Sequence, residues 1–130
     1  MPNATIKICV IDDDDNVRNL ISNALTKNGY RVQDFSTGSA GVSYVREHIA
    51  SIDLVITDLR LPDISGIKVR EQLSDIAPEL PVIGMSALIN EPGLSEKYLE
   101  VFQAMMSKPF QFSELLDKVD KTLGLSNPDG

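Results

Sequence analysis

Ile6-Lys7-Ile8-Cys9-Val10-Ile11-Asp12-Asp13 is the stretch that decides the fold. Apart from Lys7 its first six residues are apolar, and a short continuous run of this kind belongs to a strand buried on both faces, where a one-sided strand would alternate. The run stops on two acids, so a central strand delivers charge at its carboxyl end. Beyond it, Val17, Leu20, Ile21, Ala24 and Leu25 recur at helical spacing and form one apolar stripe, and Asn28-Gly29 is a helix stop. The segment Arg31-Val32-Gln33-Asp34-Phe35 alternates polar with apolar residues, as a strand at a sheet edge does.

The same rhythm continues to the end of the chain. Thr37 is placed to cap a helix carrying Ala40, Tyr44 and Val45 inward. Leu54-Val55-Ile56-Thr57 is a further short run that stops at Asp58, and Leu61-Pro62-Asp63 reads as a loop before a helix with Val69, Leu73 and Ile76 on its inner face. Pro81 opens the run Val82-Ile83-Gly84-Met85. A last strand over residues 104–107 leads into a helix with Phe112, Leu115, Leu116 and Val119 on one face. Five β/α units alternating in this order predict an α/β fold. Between residues 88 and 103 the pattern weakens, because Glu91-Pro92-Gly93 interrupts the place where a helix should begin. Residues 124–130 read as a tail or the start of a linker.

A chain of 130 residues suits one domain with one core. Its hydrophobic fraction of 42% and charged fraction of 24% are those of a packed globule. The net charge of -7 repels phosphate backbones and anionic lipid, which argues against direct nucleic acid binding or a membrane partner and in favour of protein partners. Cys9 is the single cysteine, so no internal disulfide can form; inside an apolar run it reads as a small buried hydrophobe. No apolar run approaches the ~18 residues of a membrane span, and no leader-like segment opens the chain, so the expected location is cytoplasmic.

Parallel sheets bind ligands beyond the carboxyl ends of their strands, and here those ends carry Asp12-Asp13, Asp58, Ser86 and Lys108-Pro109. Asp14 and Asp15 are explained as helix-capping and first-turn acids. Asp58 alone could be a turn former, and Lys108 alone a solvated charge. Taken together they mean more, since three carboxylates at adjacent strand ends repel one another by several kcal/mol at ~4 Å and an effective dielectric of about 20. A bound cation relieves that repulsion, and hard oxygen ligands, few of them from protein, suit magnesium. Three carboxylates against a divalent ion and an ammonium make a site where a phosphoryl group can pass in line to a carboxylate, and Asp58, at the middle of the cluster, is the expected nucleophile.

These residues resemble the receiver domains of two-component response regulators through Val10-Ile11-Asp12-Asp13, through Leu54-Val55-Ile56-Thr57-Asp58-Leu59-Arg60-Leu61-Pro62-Asp63-Ile64-Ser65-Gly66, and through Ser107-Lys108-Pro109-Phe110. The resemblance covers residues 6–123. It implies a doubly wound, flavodoxin-like, five-stranded parallel sheet of order 2-1-3-4-5 with helices on both faces. It implies that Asp13 and Asp58 ligate magnesium directly, that Asp12 does so largely through water, and that the backbone carbonyl of Arg60 adds a ligand. Further implied are Asp58 as phosphoacceptor, a contact from Lys108 to the phosphoryl group, a cis Lys108-Pro109 bond, and a Ser86 hydroxyl that turns toward the phosphoryl oxygens on activation. The implied phosphodonor is a histidine kinase or phosphotransfer protein, the output an effector protein or domain, and the mechanism a population shift. His48, late in the second helix, is expected to be a partly exposed residue with no phosphoryl role.

Several positions depart from the family's pattern. Met105 stands where the family has an aromatic whose rotamer follows the hydroxyl, and a flexible thioether reports two states less sharply. Val101-Phe102 replaces the usual Gly-Ala pair, and with Pro92-Gly93 this predicts an altered helix between the fourth and fifth strands and an altered switch face. Arg60 and Leu88 correspond to the positions that in this family flank the attacking water, and neither is a good acceptor for orienting it, so the resemblance implies slow self-dephosphorylation. Two competing readings are a receiver that only docks proteins, which usually accompanies loss of an acid or the lysine, and a magnesium-dependent phosphatase with an aspartate nucleophile, which normally needs more chain for a cap. Neither fits as well as a phosphoacceptor that is not a turnover enzyme.

Overall fold

The computed structural model describes residues 5–87, 98 and 100–125. The chain alternates β1 (Lys7–Ile11), α1 (Asp15–Lys27), β2 (Arg31–Phe35), α2 (Gly38–Glu47), β3 (Leu54–Asp58), α3 (Gly66–Ile76), β4 (Val82–Ser86), β5 (Ala104–Ser107) and α4 (Phe112–Thr122), with a short 3-10 turn at Ile49–Ser51 before β3. All neighbouring strands pair in parallel, and their order across the sheet is β2-β1-β3-β4-β5. The expected doubly wound arrangement is what forms. The helix expected between β4 and β5, and the tail beyond residue 125, lie outside the described residues.

Burial follows the strand readings closely. β3 and β4 are buried along their whole lengths, whereas β2 at the sheet edge is exposed or half-buried throughout. Because successive strand side chains face opposite ways, β1 divides its residues between two cores. Ile8 and Val10 join Ile21, Leu25, Leu115 and Val119 under α1 and α4, while Cys9 and Ile11 join Val42, Val45, Val69 and Leu73 under α2 and α3. A continuous apolar run was required because both faces are covered by helices.

Local signals place the helix ends. Asp14 caps α1 by accepting from the N–H groups of Asn16 and Val17, and Asp15 lies in the first turn, so these two acids serve the helix as expected. Thr37 caps α2 through the Ala40 N–H, and Ser65 caps α3 through the Lys68 N–H. α1 ends at Asn28, and Gly29 follows with φ of 94°, a left-handed conformation that favours glycine.

Three expected inward residues turn outward. Ala40 is exposed; the buried face of α2 is built instead from Gly38, Gly41, Val42 and Val45, with Tyr44 half-buried beside it. Leu20 and Phe112 are 50% and 53% exposed, since their neighbours Ile21, Ala24 and Leu115 already fill the space between helix and sheet.

Candidate functional site

Parallel pairing brings the carboxyl ends of four strands to one edge of the molecule. Ile11 pairs with Thr57, Asp58 with Met85, and Ser86 with Ser107, so Asp12, Asp58, Ser86 and Lys108 arrive at the same level on successive strands. Carboxylate oxygens of Asp12, Asp13 and Asp58 lie within 4.8 Å of one another. Asp12 is wholly buried and Asp58 nearly so, while Asp13 is exposed. The Lys108 ammonium donates to Asp12 Oδ2 at 2.9 Å and to Asp58 Oδ2 at 2.9 Å. A pocket of about 160 Å³ opens over these groups, lined by Asp58, Arg60, Ser86, Ala87 and Lys108. The sequence thus placed Asp12, Asp13, Asp58, Ser86, Arg60 and Lys108 at one site, and the fold brings all six there.

Asp12 is held on every side. Its backbone N–H donates to the Phe35 carbonyl at 3.1 Å, and its Oδ1 accepts from the Asp14 N–H at 2.9 Å. Burial pushes its carboxyl upward from the ordinary value, and the Asp14 N–H and Lys108 only partly oppose this. For Lys108, burial works against the charge, but hydrogen bonds and attraction from Asp12 and Asp58 outweigh it and hold the ammonium protonated more firmly than usual. Two carboxylates gripping one ammonium leave the third acid as surplus negative charge in an all-oxygen cluster. Such a donor set fits a hard divalent cation.

The loop from Asp58 to α3 is drawn tightly against the site. The Arg60 N–H donates to Asp58 Oδ1 at 3.2 Å, and the Gly66 N–H donates to the Leu59 carbonyl at 2.9 Å. Position 66 admits no side chain, because a Cβ there would lie 2.4 Å from the Asp58 carbonyl oxygen. Asp63 reaches across from this loop to accept from the Gly38 and Ser39 N–H groups at 2.9 and 2.8 Å, anchoring it on the first turn of α2. The peptide bond from Lys108 to Pro109 is cis, as the resemblance implied.

Met105 is buried in β5, away from the pocket lining. It occupies the space left by Gly84 on the neighbouring strand: a methyl group on that glycine would lie 2.6 Å from the Met105 sulfur and 3.2 Å from the Phe102 ring. Phe102 and Met105 therefore pack where a larger residue at position 84 would sit. Leu88 lies outside the described residues. His48 is exposed at the end of α2, stacked on Tyr44 with ring centroids 4.1 Å apart, and plays no part in the site.

One contact was not marked in the sequence. Arg18 donates from Nη1 to the Asp12 carbonyl at 2.8 Å, and only its spacing of three from Asp15 could have drawn attention to it.

Comparison with known proteins agrees with this geometry. The sequence profile of the response regulator receiver domain matches residues 8–120. The response regulator receiver protein CpdR of Brucella abortus is 28% identical over 120 residues, covering 90% of this chain and 96% of that protein. The chemotaxis protein CheY of Bacillus subtilis is 30% identical over 122 residues, covering 90% of this chain and 97% of that one. Among solved structures, a response regulator receiver domain protein from Clostridium thermocellum superposes with a TM-score of 0.81 at 27% identity, covering 92% of this chain and 94% of the other. With the profile spanning most of its length and full-length relatives sharing its fold, the chain belongs to the response regulator receiver domain family.

Proposed function

We propose that this chain is a phosphorylation-dependent signalling switch that accepts a phosphoryl group on Asp58 from a histidine kinase or phosphotransfer protein. The observation that carries this reading is the Lys108 ammonium held at 2.9 Å from both Asp12 and Asp58, beside a third carboxylate and an open pocket. In the transfer, an Asp58 carboxylate oxygen forms a bond to phosphorus while the bond from phosphorus to the donor imidazole breaks, and the imidazole nitrogen takes a proton. Lys108, already poised between carboxylates, follows the added charge onto the phosphoryl oxygens, and the Ser86 hydroxyl supplies a further donor from the pocket wall.

Asp13 and Asp58, with the Arg60 carbonyl, are the residues that would hold magnesium, with Asp12 contributing largely through water. When bound, magnesium neutralises part of the negative charge that the phosphoryl group and carboxylates share. Asp12 is wholly buried and does not line the pocket, which supports its indirect role, whereas Asp58 lines the pocket and Asp13 is exposed, which supports direct ones.

A protein donor has a place to sit. Val17, Leu20, Pro109, Phe110 and Phe112 line an apolar hollow that shares Ala87 and Lys108 with the phosphoryl pocket. The outward turn of Leu20 and Phe112 supports their use as a contact for the donor rather than as core. Output then works by population shift, with the phosphoryl group favouring the arrangement of β4 and β5 in which Ser86 and Lys108 both reach it. Met105, set against Gly84 and Phe102, is the residue through which β5 would carry that shift to an effector.

Incubation with acetyl phosphate and magnesium, followed by intact-mass measurement, tests the reading. Addition of one phosphoryl group that requires magnesium to be present during the incubation and does not occur in Asp58→Asn supports it. An unchanged mass would mean a docking module, and continuous release of phosphate without accumulation would mean an enzyme.

A further inference from the structure

The loop between β1 and α1 carries two of the three clustered carboxylates, and its peptide planes must hold still for those carboxylates to face the site. Arg18 supplies the restraint. Its side chain is only 15% exposed although it lies on a surface helix. Nη1 donates to the Asp12 carbonyl at 2.8 Å, Nη2 donates to Asp15 Oδ1 at 2.6 Å, and Nε lies 3.7 Å from Asp34 Oδ1 near the end of β2. Asp34 is steadied in turn by the Ser22 hydroxyl at 2.9 Å, and its neighbour Phe35 accepts the Asp12 N–H. One planar guanidinium therefore ties the loop to its own helix and to the adjacent strand.

We propose that Arg18 is a positioning residue of the magnesium site, a role that rests on the reading of Asp12, Asp13 and Asp58 as that site. The Asp12 carbonyl and the Asp13 N–H belong to a single rigid peptide plane. Fixing the carbonyl fixes the plane from which the Asp13 side chain departs, although Arg18 bonds to neither carboxylate in the cluster. The forked geometry matters because one flat group meets two acceptors in different directions and sets its third nitrogen toward the Asp34 carboxylate, which an ammonium on a flexible stem cannot reproduce.

The inference has a sign that electrostatics alone would reverse. Removing a positive charge near a cation site should tighten cation binding, whereas loosening the ligand that Arg18 orients should weaken it. Loss of an outer partner of a metal ligand typically weakens binding by about 10–100-fold. Titration of magnesium into ¹⁵N-labelled protein, followed through the Asp13 and Asp58 amide signals, gives the dissociation constant without recourse to phosphorylation. Arg18→Gln is expected to raise that constant about tenfold, and Arg18→Lys, which keeps the charge and is the milder change for folding, to raise it by a similar factor. Magnesium binding by both variants as tight as in the wild type, or tighter, overturns the inference even if their thermal midpoints fall. If the wild type itself binds no magnesium, the reading of the site falls, and this inference falls with it.

Discussion

Asp58 and Lys108 face each other across 2.9 Å, and the side chain that lines the pocket beside them is expected to bear on the lifetime of a phosphorylated state. Arg60 is exposed on the loop after Asp58 and lines that pocket. A guanidinium has donors and no acceptor, so it cannot accept a hydrogen bond or a proton from a water approaching the aspartyl phosphate. Self-dephosphorylation is accordingly expected to be slow, and Arg60→Gln, whose carbonyl can accept, is expected to speed the decay about tenfold. Following intact mass over time after removal of the phosphodonor checks this; equal decay in both proteins would contradict it. Cys9 needs no such role: burial pushes its thiol up to about 12, and it stays a protonated core residue at neutral pH.

Among the elements, the loop from β3 to α3 has its position set from outside itself. Asp63 accepts the Gly38 and Ser39 N–H groups at the start of α2, and the Ser39 side chain and these N–H donors hold its carboxyl well below the usual carboxylate range. A carboxyl depressed in the folded state contributes stability that is complete above the unfolded value of about 3.9 and is lost as pH falls through the lower folded value. Asp63→Asn keeps the shape but cannot carry the charge, so below about pH 4 the wild type should lose stability more steeply than the variant. Urea unfolding midpoints measured between about pH 6 and about pH 3, a window that spans the unfolded carboxyl value of about 3.9, would show converging curves; parallel curves would mean that the contact contributes nothing.

Legibility varied with how far each feature depends on tertiary distance. The polar residues of Arg31–Phe35 and the unbroken run over residues 54–57 mark edge and centre of the sheet, although Val32 and Phe35 face opposite cores where strict alternation would put both on one. Helix faces were read less well. Glycine carries no hydropathy signal, so the inward turn of Gly38 and Gly41 was missed and Ala40 was placed inside instead. Leu20 and Phe112 satisfied the helical period, but only the packing of Ile21 and Leu115 against the sheet determines where the core ends. The spacing of Arg18 from Asp15 marks a helical ion pair and nothing of its bond to the Asp12 carbonyl, and its approach to Asp34 exists only once β2 lies beside β1.

At the scale of the whole molecule, separate strands of one parallel sheet deliver Asp12, Asp13, Asp58, Ser86 and Lys108 to the same edge, and the two cores beneath hold those strand ends in register. This convergence is expected to make one particular carboxylate, that of Asp58, reactive. An aspartyl phosphate is reduced by borohydride to homoserine, which marks the modified position permanently. Protein treated with acetyl phosphate and magnesium, reduced with borohydride and mapped by peptide mass should carry homoserine at position 58 and at no other aspartate. Reduction at Asp12 or Asp13, or at no position while the protein remains folded, would contradict the account.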